Sequence, residues 1–243
     1  MKLIAPDYYT EFHCIASACR HTCCAHWEVD IDEDSLPRFL ADSTIASHIE
    51  RGETPHFRLT EDERCPFLTD AGLCELILRH GEDILCQICR DHPRFRLFWS
   101  DRTELGLGLV CEEAARLILT RETPMRLVVL SDDGREEALP EDEEWLLSLR
   151  SELIAAIAQT GPEARLLEYL LYRHLSDALY DDRVEERLAF IEASFREITG
   201  AWAQTDGSTD ALVECARRWS YDVEYDEEEK EKRLAAEEDT GET

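Results

Sequence analysis

Nine of the ten cysteines in this chain of 243 residues fall in its first 111: Cys14, Cys19, Cys23, Cys24, Cys65, Cys74, Cys86, Cys89 and Cys111. Only Cys215 lies outside that stretch. A cysteine adds little to a core, but its thiolate is a strong ligand for soft metals. So dense a run asks for metal or for disulfides. Residues 1 to 12 contain no apolar signal-peptide core and no small-residue cleavage pattern before Asp7. No apolar run approaches the roughly 18 residues that would span a bilayer. The expected setting is therefore cytoplasmic, where thiols stay reduced and dense cysteine reads as metal binding or redox chemistry.

A tetrahedral zinc site takes four ligands, so one zinc cannot use nine thiols. Structural zinc usually appears as paired C-x2-C knuckles, and only Cys86 and Cys89 have that spacing here. The irregular spacing, with the adjacent pair Cys23-Cys24 and the isolated Cys111, fits an iron–sulfur cluster gathered from several elements. Zinc or non-haem iron is the alternative. His21, His26 and His92 lie close to thiols in sequence and could complete a site, but each reads first as a surface or supporting residue. No Ser-His-Asp arrangement, phosphate loop or metal-binding His pair is visible, and no catalytic base can be named. Gly106-Leu107-Gly108 lacks the third glycine of a nucleotide loop. Asp30 and Asp32 read as an exposed strand face, and Cys215 as a buried thiol on an amphipathic helix.

The elements that must position these thiols are short. Residues 8 to 27 read as an extended entry followed by a helix, with Cys19 and Cys23 sharing a face at i, i+4. Cys23 and Cys24 would then diverge by about 100° and serve different partners. Val29 to Asp32 alternates as a strand, and a helix is predicted from about 35 to 51. Thr69-Asp70-Ala71-Gly72 has turn chemistry and predicts a knuckle joining Cys65 to Cys74. Glu75 to His80 reads as a helix capped by Gly81. Residues 82 to 91 read as another, with Cys86 and Cys89 on one face. Leu105 to Val110 is a buried strand, and Cys111 sits at the N-cap of a following helix, where free amides favour a thiolate.

Beyond Pro124 the pattern becomes helical hairpins. After a short strand near 125 to 130, apolar stripes predict helices over about 141–159, from Pro162, over 183–203 and over 209–219. Trp145, Leu146, Leu149, Leu153, Ile154 and Ile157 are expected to face the core. The fold class is α+β and mostly α: a Cys-rich metal-binding domain with short strands over 1–124, a helical-hairpin region over 125–221, and an acidic tail over 222–243 expected to be disordered or a solvated helix. With 26 Lys and Arg against 55 Asp and Glu, the net charge is −29. That argues against nucleic acid and anionic membranes, and allows a basic, lysine-bearing protein or peptide as partner.

The run from Phe12-His13-Cys14 through Cys19-Arg20-His21-Thr22-Cys23-Cys24-Ala25-His26-Trp27 resembles the opening of the FliB family, the flagellin lysine-N-methylases. That family's cysteine cluster is related to that of the YkgJ-type zinc- or iron-chelating proteins. The resemblance continues through Cys65-Pro66-Phe67-Leu68, Gly72-Leu73-Cys74, Gly81-Glu82, Cys89 and Pro93-Arg94. It closes with Cys111-Glu112-Glu113-Ala114-Ala115-Arg116-Leu117-Ile118-Leu119. It covers about residues 8 to 120. Arg20-His21 stands where the family has acidic residues, His92 where it has an aromatic, and family members extend further at the C-terminus.

The resemblance implies a cysteine-bound cluster, [4Fe-4S], and S-adenosylmethionine-dependent methyl transfer to lysine ε-amines, typically on flagellin. It implies Cys14, Cys19, Cys23, Cys24, Cys65, Cys74, Cys89 and Cys111 as ligands, with Cys86 as an additional candidate. Two other readings stay open: an iron-dependent redox enzyme acting on peptides, and a non-catalytic protein whose metals staple a small partner-binding domain.

Overall fold

A computed structural model describes residues 1–135 and 137–238. The chain opens with strand β1 (Lys2–Pro6), then runs through two single 3-10 turns, Tyr9–Glu11 and Ala16–Ala18. Next come β2 (Val29–Asp30), α1 (Leu36–Ala41), α2 (Ser43–Ala46), β3 (Ile49–Glu50) and β4 (His56–Phe57). Two short helices follow, α3 (Glu75–His80) and α4 (Gln87–Asp91), and then strands β5 (Arg94–Phe98) and β6 (Arg102–Leu107). The rest alternates little: α5 (Glu112–Leu119), β7 (Leu127–Asp132), α6 (Glu141–Ala155), α7 (Pro162–His174), α8 (Ala178–Asp181), α9 (Val184–Trp202), α10 (Thr209–Trp219), a π-type turn at Ser220–Glu224 and α11 (Glu227–Glu238). The fold is α+β and mostly helical, as its sequence pattern predicts.

Two compact units result. One joins Met1–His13 to Pro93–Thr243, and the other is Cys14–His92. The expected boundary near residue 124 is not where they part. Residues 1–13 supply β1, which pairs in parallel with β6 and antiparallel with β7, so the sheet order is β5-β6-β1-β7. The N-terminal strand and Cys111 thus belong to the helical unit. In that unit α5, α7, α9 and α10 gather around one core that includes Leu107, Leu109, Ile118, Leu166, Leu170, Phe190, Leu212 and Trp219. Gly106 is needed where it stands: opposite it on β5 is Phe95, whose ring atoms lie 2.0 Å from where a Cβ would be.

Three expectations are corrected here. The stretch around Cys19 is not a helix: Cys19 itself is extended, at φ −72° and ψ 129°, so Cys19 and Cys23 share no helical face. The helix expected over 35–51 breaks at Asp42, whose carboxylate accepts the Thr44 N–H and restarts the chain as α2. Asp42 competes with the helix for its own backbone, as short polar side chains do. Trp145 is 55% exposed, because α6 turns Leu146, Glu143 and Arg150 inward instead.

The acidic C-terminal stretch takes the helical one of its two expected forms, though docked through one leucine rather than wholly solvated. Through residue 238 it forms α11, which packs on α9 and buries Leu234 completely. Residues 239–243 lie outside the described residues. No helix among the described residues is long and apolar enough to cross a membrane.

Candidate metal centre

The thiol-bearing unit is built by backbone pairing between segments far apart in sequence. Cys65 N–H donates to Cys24 O at 2.8 Å, and His26 N–H to Glu63 O at 2.7 Å. Ala25 and Arg64 form an isolated antiparallel bridge between them. Cys24 is thereby laid beside Cys65. The chain then folds back through a turn: Thr69 N–H donates to Leu73 O, Gly72 adopts φ +73°, and Leu68 bridges Cys74. A side chain at Gly72 would be strained by that left-handed backbone, which is why the turn needs glycine. The predicted knuckle therefore forms and brings Cys74 towards Cys65.

Cys86 and Cys89 arrive on α4. Gly81, at φ +83°, ends α3, and the chain passes through a 3-10 turn before α4 begins at Gln87. Cys86 is thus the N-cap of α4 rather than a residue within a longer helix. Its side chain does not cap the helix. The Asp32 carboxylate does so from a distant part of the unit, accepting Gln87 N–H at 2.7 Å and Ser35 N–H at 2.9 Å. Burial opposes its ionisation, yet these N–H groups hold Asp32 below the usual carboxylate range. Asp32, read from sequence as part of an exposed strand face, fixes the start of the helix that carries two of the thiols.

Five thiols come within electrostatic reach of one another: Cys24, Cys65, Cys74, Cys86 and Cys89. Their protonation is unequal. Burial pushes Cys65 up to about 12 and also raises Cys74. The Cys23 thiol donates to Cys24 and, with the Thr22 hydroxyl, outweighs burial to lower Cys24 to about 7. The hydrogen bond between Cys86 and Cys89 lowers Cys86 and raises Cys89, so the two titrate as a pair.

Backbone N–H groups of Phe67, of Leu76 and Ile77, and of Cys89 point at the sulfurs of Cys65, Cys74 and Cys86 respectively. Donors placed in this way favour the thiolate that a metal requires. All ten cysteines are thiols rather than disulfides.

The remaining sequence candidates are placed as follows. Cys14 is exposed, and its sulfur accepts Ala16 N–H at 3.4 Å. Cys19 is half-buried and donates to His21 O at 3.1 Å. Cys23 is exposed, and its carbonyl accepts the Trp27 indole N–H at 2.6 Å. Cys111 is the N-cap of α5, as predicted, but in the other compact unit. Cys215 is half-buried on α10. His26 pairs with Glu63 at 3.1 Å on the surface, and His92 lies against Trp27 with ring centroids 6.3 Å apart.

Whether these residues suit a metal can be judged on donor chemistry and on convergence. The donor chemistry fits a soft metal: five sulfurs in one small unit, three of them with backbone N–H donors. Among the described residues, no three His, Cys, Asp or Glu side chains gather closely enough to hold one ion. The core beneath the thiols is thin, built on Phe39, Phe57, Phe67, Ile45, Ile49 and Leu76, with Cys65, Cys74 and Cys89 packed on it. A domain of this size commonly needs a metal or other staple to reach ordinary stability.

No protein-family model matches the chain, and no solved structure matches it. Three curated proteins are similar to it. The Lysine-N-methylase of Salmonella typhimurium is 26% identical over 219 residues, which are 82% of this chain and 54% of that protein. The Lysine-N-methylase of Salmonella choleraesuis is 25% identical over 221 residues, again 82% and 54%. The Flagellar biosynthetic protein FliU of Salmonella muenchen is 26% identical over 134 residues, which are 50% of this chain and 79% of that protein. The chain spans about half the length of the two lysine-N-methylases it resembles over most of its own length.

Proposed function

We propose that this chain is a thiolate metalloprotein acting in S-adenosylmethionine-dependent methylation of lysine on a protein or peptide. The observation that carries the reading is its similarity to two lysine-N-methylases over 82% of its length. The metal part is supported by donor chemistry, five neighbouring sulfurs of which three face backbone N–H groups, and loading would have to draw them closer than they stand here. Cys24, Cys65, Cys74, Cys86 and Cys89 would supply the ligands, and an iron–sulfur cluster is the centre that the thiol-only donor set favours, with zinc or non-haem iron as alternatives. Cys14, Cys19, Cys23 and Cys111 are further candidates from the FliB resemblance.

Three of the five thiols are held protonated in the unloaded protein, so loading metal must release protons and weaken as pH falls. Methyl transfer needs a neutral lysine amine, which calls for desolvation or a nearby base. The surplus of 55 acidic over 26 basic residues would draw a lysine-rich partner, with flagellin the substrate implied by the resemblance and by the flagellar protein among the relatives.

The test is the absorption spectrum, iron, zinc and sulfide content of anaerobically purified protein. It is followed by transfer of labelled methyl groups from S-adenosylmethionine to flagellin. A band near about 400 nm with matching iron and sulfide, and labelled lysine, is expected. A colourless protein holding only zinc even when iron is ample, with no transfer, would reject it. The reading left standing would then be a zinc-stapled partner-binding domain, which the thin core under the thiols favours.

A further inference from the structure

Strand β7 stands at one end of the four-stranded sheet: it pairs with β1 and, among the described residues, with no strand on its other side. Arg126 O accepts Asp7 N–H at 2.8 Å, which turns the backbone groups of Arg126 and Val128 towards β1. By strand alternation the N–H and C=O groups of Leu127 and Val129 point away from the sheet. The side chains are open as well. Leu127, Val128, Val129 and Leu130 are each more than a third exposed, and Val129 reaches 57%, so neither face of the strand is covered. A contiguous exposed apolar strand edge is a ready template for another strand.

Proteins blunt such edges with charge, proline or a covering element. At the opposite end of the sheet, β5 alternates arginine with apolar residues, and Tyr180 of α8 donates to Phe98 O at 3.0 Å. Between Leu127 and Leu130, β7 has neither device. A bulge leaves Leu130 as an extra residue between Val129, opposite Ile4, and Ser131, opposite Leu3; it adds twist but supplies no charge. The charges of β7 stand at its two ends and have opposite signs. Arg126, 81% exposed, immediately precedes the strand, and Asp132, also exposed, is its last residue. Set against its own reverse, the strand is complementary to itself.

We propose that the free edge of β7 pairs antiparallel with the same edge of a second copy of this chain, about a two-fold axis near Val129. The result is one continuous sheet with four strands from each copy. This arrangement sets Arg126 of each copy towards Asp132 of the other and covers the apolar residues of both. Parallel pairing would set like charges together. The charge of −29 on each copy opposes association, but at about 0.15 M salt charges more than about 8 Å apart are largely screened, whereas the strand ends meet at contact. A two-fold contact uses up the same edge of both copies, so association stops at two. One strand from each copy makes an interface at the small end of the specific range, below about 1,200 Å², so the pairing is reversible. The inference does not rest on methyl transfer.

Sedimentation equilibrium of the full chain, from about 5 to about 500 µM, tests it. The apparent mass should climb from 28.0 kDa towards twice that value and no further. Val129→Lys puts two like charges face to face at the axis and leaves the pairing with β1 alone, so it should weaken self-association at least about tenfold. Arg126→Glu makes both ends of the strand acidic and Asp132→Lys makes both basic, so each variant by itself should self-associate at least about threefold more weakly. Mixed together, the two carry opposite charges at both contacts and should associate as tightly as the native chain. If net charge alone governed association, Asp132→Lys would strengthen it instead. That outcome, a mass that stays at 28.0 kDa throughout, growth beyond two copies, indifference to Val129→Lys, or no recovery on mixing would each overturn the proposal. So would a labelled lysine-rich peptide that binds the monomeric native chain and is lost with Val129→Lys, because the edge would then serve a different partner.

Discussion

Replacing Arg150 by methionine should cost the helical unit several kcal/mol. Glu104 stands on β6, between β5 and β1, and is wholly buried; Arg150 on α6 is 2% exposed. Arg150 Nη2 donates to Glu104 Oε1 at 2.9 Å and lies 2.7 Å from Oε2, while Nη1 donates to Ser176 Oγ at 2.7 Å. The guanidinium also rests over the rings of Tyr172 and Trp99, at 4.9 and 5.4 Å. Methionine keeps most of the packing but leaves Glu104 as an uncompensated charge inside the sheet.

Breaking one side of such a pair costs about 3–5 kcal/mol, whereas replacing both partners by apolar or neutral groups is often close to neutral. With a urea m-value of about 2 kcal/mol/M, the midpoint should fall by about 2 M. Glu104→Gln/Arg150→Met should recover more than half of that loss, a coupling of about 2 kcal/mol in a double-mutant cycle. Urea denaturation followed by far-ultraviolet circular dichroism reads both values. A loss under about 1 kcal/mol for the single variant, or strictly additive losses, would refute the view that Glu104 depends on Arg150.

Burial, reinforced by the charges of Arg173, Lys230 and Arg187, holds His174 well below its ordinary pKa, although Glu224 lies 3.5 Å away. Below about pH 6.5 the unfolded chain therefore binds a proton that the folded chain refuses, and stability should fall as pH drops, by up to about 1.4 kcal/mol per unit. His174→Phe, fitting beside Phe190 and Trp219, should flatten that slope, and an unchanged pH profile would contradict the assignment. Leu234→Ala should destabilise by about 2–5 kcal/mol by thermal or urea unfolding, whereas a helix lying free in solvent would lose almost nothing. Gly106→Ala must displace the Phe95 ring and should cost about 1–3 kcal/mol in the same assay, with Phe95→Leu/Gly106→Ala partly restoring stability.

The sequence determined the thiol inventory, the turn at Thr69 to Gly72, the N-cap position of Cys111 and most of the later helices. Each of these is set locally. A glycine at positive φ, a run of apolar residues at helical period, or a cysteine just before Glu112-Glu113 carries its consequence within a few residues.

What only the tertiary structure decided depends on pairing across long separations. Lys2–Pro6 gives little sign of being a strand until β6 and β7 flank it. Cys24 meets Cys65 because of backbone bonds spanning some forty positions, and Asp32 starts the helix of Cys86 and Cys89 from a comparable distance. Burial was the least legible quantity. Trp145 is exposed while Glu104, Arg150 and Arg165 are buried, because a charge can be stably enclosed where the fold brings it a partner, Arg150 for Glu104 and Glu168 for Arg165. The α11 segment makes the same point: its composition asks for solvent, and its one well-placed leucine finds α9.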